Sequence, residues 1–235
     1  MVALFATGVH LGYAICDCMV IPPVRKIIKG RRGNRGRIGA LKAGGRATFE
    51  STLERDFYFT LDFDPAVETF SPQPVLLTYQ GSNGRKKKYV PDVLVTYTDR
   101  RPHGLFEVKY AADLLADPSE FRLKFRAARE YARCEGWTFG TVTEKSIRQQ
   151  RLKNITFLRP FLDPGRVFAA RDRQMLLCQF TVIGLTPRQL LADLSLEEKG
   201  RLLPVLWHLV AAGVILLDMD QPLGMDSPLH LPEVP

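Results

Sequence analysis

The chain has 235 residues, of which 46% are hydrophobic and 25% charged, with a formal net charge of +8. That composition suits a globular protein of one large or two small domains, and no apolar run reaches the ~18 residues that a membrane span needs. The positive charge is concentrated rather than spread. Residues 25–46 hold Arg25, Lys26, Lys29, Arg31, Arg32, Arg35, Arg37, Lys42 and Arg46, with interleaved glycines and no acid, and the remainder of the chain is nearly neutral. Such a stretch buries little apolar surface, so it reads as a flexible arm that attracts polyanions, nucleic acid first. The apolar opening, residues 1–24, contains Asp17 and is followed rather than preceded by basic charge, which argues against a signal peptide. A translation start at Met19 would make residues 1–18 an extension. Cys16 and Cys18 form one Cys-x-Cys without a second pair, and Cys134 and Cys178 stand apart, so the cysteines read as reduced thiols rather than zinc ligands.

In chain order, residues 48–61 read as the first helix, because Phe49, Leu53, Phe57 and Leu61 recur every four residues and Asp64-Pro65 ends the run. Short extended segments follow at 67–70 and 75–79, with a turn at 81–84. Residues 89–98 are β-branched and aromatic, and 105–109 are their expected hairpin partner across a loop that carries Pro and Gly. Asp117-Pro118-Ser119-Glu120 opens a second helix, stopped at Gly136, with Arg122, Lys124, Arg126, Arg129 and Arg133 read as its solvent face. A strand over 137–142 completes an α/β sheet core. After Asp163-Pro164-Gly165 the pattern turns helical: 169–183, a short helix capped by Thr186-Pro187, and 195–212 opened by Ser195 and Glu198. Residues 214–217 and 218–231 then offer a two-stranded wing. Three helices and a hairpin are the layout of a winged helix.

One pair of strands carries chemistry. Side chains alternate along a strand, so Glu107 and Lys109 share a face, and the hairpin brings Asp92 of Pro91-Asp92 beside them. Oxygen ligands at Asp92, Glu107 and the Val108 carbonyl suit Mg²⁺, with Mn²⁺ able to substitute. Such an ion polarises a scissile phosphate and lowers the pKa of a bound water. Lys109 is then placed to orient or deprotonate that water, or to stabilise developing charge. A glutamate of the first helix completes the set, with Glu54 the choice and Glu50 its rival. Ser51 and Glu54 also fit a capping box.

These residues resemble a family. Leu53-Glu54-Arg55-Asp56-Phe57, Leu61-Asp62-Phe63-Asp64-Pro65, Phe70-x-x-Gln73-Pro74, Tyr89-x-Pro91-Asp92 and Glu107-Val108-Lys109 are similar to the TnsA endonucleases of heteromeric cut-and-paste transposases, within the restriction-endonuclease-like nucleases. The resemblance implies an α/β, restriction-endonuclease-like mixed sheet core flanked by helices, followed by a small winged-helix domain. It divides the chain into an extension and arm (1–46), a catalytic domain (47–162) and a winged helix (163–235). It implies Mg²⁺-dependent cutting of the 5′ (non-transferred) strand of double-stranded DNA at transposon ends, in the bacterial cytoplasm. The expected partners are a TnsB-like DDE recombinase and a TnsC-like AAA+ ATPase, with no membrane. Glu54, Asp92, Glu107 and Lys109 fall on the family's catalytic positions, with Val108 as a further metal ligand. Arg25, Lys26, Lys29, Arg31, Arg32, Arg35 and Arg37 in the arm, and Arg85, Lys86, Lys87 and Lys88 before the Asp92 strand, are the expected DNA contacts. The rival readings are a stand-alone restriction or repair nuclease and an inert DNA-binding or assembly protein. The helix 195–212, with Lys199 and Arg201 balanced by Glu197 and Glu198, and the acidic end favour protein docking over groove reading.

Overall fold

A computed structural model describes residues 23–24, 35–116, 118–163, 165–180 and 184–232. Arg25, Lys26, Lys29, Arg31 and Arg32, with Cys16, Cys18 and Met19, lie outside the described residues.

Residues 36–49 form a hairpin. β1 (Gly36–Ala40) and β2 (Gly45–Phe49) pair antiparallel, with Gly36 opposite Phe49 and Ala40 opposite Gly45. Gly44 and Gly45 turn the chain at φ +67° and +94°, a region that side chains rarely adopt. Ala40, Ala43 and Ala47 are buried, so this small-residue face lies close against α1 (Thr52–Phe63). The flexible-arm reading therefore fails for residues 36–46. The helix also begins later than the apolar spacing predicts. Thr48 and Phe49 belong to β2, and Ser51 caps α1 by accepting a hydrogen bond from the Glu54 amide at 3.1 Å. The capping box overrides the Phe49–Leu53 spacing.

The chain continues through β3 (Val67–Pro72), β4 (Leu77–Gln80), β5 (Lys86–Tyr89), β6 (Val93–Tyr97) and β7 (Gly104–Val108). Next come α2 (Ala111–Ala116), α3 (Pro118–Cys134), β8 (Thr138–Val142), α4 (Glu144–Ile147) and α5 (Gln150–Leu158). The central sheet has the order β3-β6-β7-β8. Its first two interfaces are antiparallel, and β7 and β8 run parallel through the α2–α3 crossover. β4 and β5 form a separate ribbon, so residues 86–88 belong to a strand.

Both faces of the sheet are covered. Val93, Val95 and Phe106 meet Tyr58 and Leu61 of α1 on one side. Leu94 and Leu105 meet Ala132 of α3 on the other. A polar clamp fixes the hairpin to this layer: Asp62 accepts the Lys42 amide at 3.0 Å, while Arg159 lies over Phe59 and donates to the Gly39 carbonyl at 2.9 Å.

Beyond residue 163, α6 (Ala170–Leu177), α7 (Pro187–Leu190) and α8 (Leu196–Ala211) surround a core of Leu176, Leu190, Leu202, Leu206 and Ile215. Capping boxes at Thr186–Gln189 and Ser195–Glu198 start α7 and α8. Gly213, at φ +71°, follows the end of α8. The expected two-stranded wing is reduced to isolated antiparallel bridges, Leu216 with His230 and Leu185 with Leu229. Leu158 of α5 joins this core, and α5 also touches α1, so α5 serves both halves of the chain. Among the described residues, no helix is long and apolar enough to cross a membrane.

Candidate functional site

The register of the sheet builds the site. Val93 lies opposite Phe106, and the Asp92 amide donates to the Phe106 carbonyl at 3.0 Å, so the next position pairs Asp92 with Glu107. Alternation turns both carboxylates to the α3 face, because Val93 and Phe106 point at α1. The Asp92 carboxylate accepts the Val108 amide at 2.7 Å, which ties the end of β6 to β7. Lys109 follows directly, with its Nζ 3.4 Å from Glu107 and 3.7 Å from Asp92. The structure thus brings Asp92, Glu107 and Lys109 together at one end of the sheet.

The Glu107 face is not open to solvent, contrary to a plain polar strand face. Glu107 is only 1% exposed, and both of its oxygens are engaged. Lys124 of α3 contacts Oε1 at 2.6 Å and lies over the Tyr89 ring at 4.2 Å, while the Tyr89 hydroxyl donates to Oε2 at 2.8 Å. Lys124 therefore leaves the group read as a solvent face, where Arg122, Arg126, Arg129 and Arg133 remain exposed. One signal for it was legible: Lys124 precedes Ala128 and Ala132 at four-residue spacing, on the buried stripe of α3. Tyr89, the last residue of β5 and opposite Leu77, carried no such signal, because residues 86–88 do not read as a strand.

Glu54 is 4% exposed, and its oxygens accept from the Glu50 amide at 2.9 Å and the Ser51 hydroxyl at 3.0 Å. It caps α1 and also lies within electrostatic reach of Lys109 and Asp92. Glu50 lines the adjoining cleft, a space of about 560 Å³ also bounded by Gln73, Lys88, Asp92, Glu107, Lys109 and Lys124. Lys87 forms an ion pair with Glu120, itself on the cleft wall, at 2.7 Å, whereas Arg85, Lys86 and Lys88 are exposed, as are Arg35 and Arg37 by the hairpin.

The electrostatics record a surplus of negative charge. Burial and then the Glu107 and Glu54 carboxylates push the Asp92 carboxyl up to about 8, against the opposing pull of Lys109 and the Val108 amide. Burial raises Glu54 as well, despite its hydrogen bonds and Lys109. At Lys109, burial works to lower the proton affinity, but Asp92, Glu107 and Glu54 outweigh it, so the group is a firmly held ammonium. Hard oxygens with unmet charge are the donor set of a small divalent cation. Among the described residues, no three His, Cys, Asp or Glu side chains are gathered to hold an ion as they stand. Lys124 and Tyr89 occupy Glu107, and the helix cap occupies Glu54. The residues fit the cation by chemistry, and two ammonium groups neutralise part of the charge it would meet.

Two family models match the chain in order: TnsA-like endonuclease N terminal over residues 64–144 and TnsA endonuclease C terminal over residues 146–219. No curated protein gives a significant match. The first match contains Asp92, Glu107 and Lys109, and Glu54 precedes it. With both halves matched along one chain, and with carboxylates and a lysine converging at the end of a mixed sheet, the chain belongs to the TnsA-like endonuclease family, a nuclease of transposition.

Proposed function

We propose that the cleft at the end of β6 and β7 hydrolyses a phosphodiester of double-stranded DNA at a transposon end, cutting the 5′ (non-transferred) strand in the cytoplasm. The convergence of Asp92, Glu107 and Lys109 carries this reading. Asp92, Glu107, the Val108 carbonyl and Glu54 would hold Mg²⁺, with Glu50 on the cleft wall as the alternative to Glu54. When bound, the cation polarises the phosphate and acidifies a water. Lys109, beside both carboxylates, would orient or deprotonate that water, or steady charge on the phosphate oxygens.

The described residues on either side of the basic segment lie near the same cleft. The Val24 amide donates to the Gln73 carbonyl at 3.1 Å, and Gly36 pairs with Phe49, next to Glu50. Arg35, Arg37, Arg85, Lys86 and Lys88 are exposed and offer a positive surface to a DNA backbone, and Arg25, Lys26, Lys29, Arg31 and Arg32 are proposed as further contacts from their charge alone. Lys87 contributes less, since Glu120 neutralises it.

The last part of the chain is read as a winged helix that docks the TnsB-like recombinase or the TnsC-like ATPase. Its three helices and the Leu216–His230 and Leu185–Leu229 bridges support that reading. The acidic end offers less charge to a partner than its composition suggests, because Asp220 pairs with Arg151 and Asp226 with Arg188.

Excision reconstituted with both partners tests the assignment. Asp92→Ala and Lys109→Ala should each reduce 5′-strand cutting by at least ~10²-fold while joining chemistry persists. Normal cutting by Asp92→Ala would refute it. Robust specific cutting by the isolated protein would favour the stand-alone nuclease instead.

A further inference from the structure

Gln73 stands immediately after β3, between Pro72 and Pro74, and three independent observations set it apart. Its φ is +49°, the single positive value of a non-glycine among the described residues, and it precedes a proline, which ordinarily pushes a residue toward extended backbone. Its side chain is 5% exposed, and its Oε1 is shut off from solvent without a hydrogen-bond partner. It also belongs to the row that carries the carboxylates. Pro72 lies opposite Val93, and the Gln73 amide donates to the Asp92 carbonyl at 2.9 Å, so Gln73, Asp92 and Glu107 are successive members of one line across β3, β6 and β7.

A strained backbone and an orphaned buried carboxamide are both unfavourable, and strain of this kind concentrates where a site must be shaped. Here they meet on the wall of the cleft that also holds Asp92, Glu107 and Lys109. An uncharged oxygen on a residue that shares the cleft wall with two carboxylates suits a divalent cation or the water it carries, because it adds a hard ligand without adding repulsion.

We propose that Gln73 is a further member of the cation site, its carboxamide oxygen serving the cation or its water shell. The inference rests on the nuclease reading above. Gln73→Gly removes the carboxamide and suits the left-handed backbone, and Gln73→Glu retains an oxygen donor. In chelator, Gln73→Gly should melt no lower than the wild-type protein, since it relieves strain and an unpaired polar group. Its affinity for Mn²⁺, measured by isothermal titration, should fall about tenfold, whereas Gln73→Glu should bind at least as tightly as wild type. Cutting of a transposon-end duplex by Gln73→Gly should recover as Mn²⁺ is raised. Wild-type Mn²⁺ affinity in Gln73→Gly, with binding lost in Asp92→Asn, would overturn the Gln73 inference alone. Wild-type Mn²⁺ affinity in Asp92→Asn would overturn the nuclease reading and this inference with it.

Discussion

Asp92 is asked to do two incompatible things: to end a strand in the interior and to carry charge. An unfolded aspartate titrates near ~3.9, whereas burial and the neighbouring carboxylates push this one up to about 8. Between those values the folded protein keeps a proton that the unfolded chain has lost. Stability should therefore fall as pH rises through that window and level off above it. Glu54 is shifted in the same direction. In chelator, urea midpoints should be higher at pH 5 than at pH 8, and Asp92→Asn should flatten that slope. A slope unchanged in Asp92→Asn would mean that another group carries it. Asp92, Glu107 and Lys109 were readable from the chain because strand alternation and a short hairpin nearly determine which side chains meet. Gln73 was visible only as a motif letter, since neither its left-handed φ nor its orphaned oxygen follows from residue type.

Among the elements, α3 does most to distinguish this site from a bare pair of strands. It lays Lys124 against Glu107 and the Tyr89 ring. Removing one partner of a buried ion pair leaves the other uncompensated, at a cost of about 3–5 kcal/mol. Lys124→Met should lower stability in chelator by an amount near the bottom of that range, and Mn²⁺ should restore more stability to the variant than to wild type. Equal gains would show that Lys124 and the cation do not share Glu107. The central strands were legible because their β-branched residues sit between clear turn signals. The start of α1 was misread because Phe49 happens to lie four residues before Leu53, while the glycines at 44 and 45 fold 45–49 back as a strand. β5 was hidden by its lysines, which are unusual in strands. The short helices α2, α4 and α5 lacked a sustained apolar stripe.

Across the whole molecule, the two halves are less separable than the Asp163-Pro164-Gly165 signal suggests. Asn154 of α5 is buried and donates to the carbonyls of Met219 at 2.8 Å and Gln221 at 2.7 Å, while its own oxygen accepts from Gln150 at 2.9 Å. His208 of α8 contacts the Phe161 carbonyl at 2.8 Å. On the other side, Arg148, just before α5, binds Asp56 of α1 at 2.9 Å. The match to the C-terminal family model begins at residue 146 and so takes in α5. A truncation at residue 165 would strip one side of α5 rather than release a free-standing unit. Asn154→Ala should cost about 2–3 kcal/mol, because it leaves two carbonyls unpaired. The Asn154 bonds also bear on how the protein comes apart. With one helix shared between two cores, neither half has a complete interior alone, so calorimetry should record a single melting transition whose calorimetric and van't Hoff enthalpies agree. Asn154→Ala should lower that single transition without splitting it, because Leu158 still joins the C-terminal core and α5 still packs on α1.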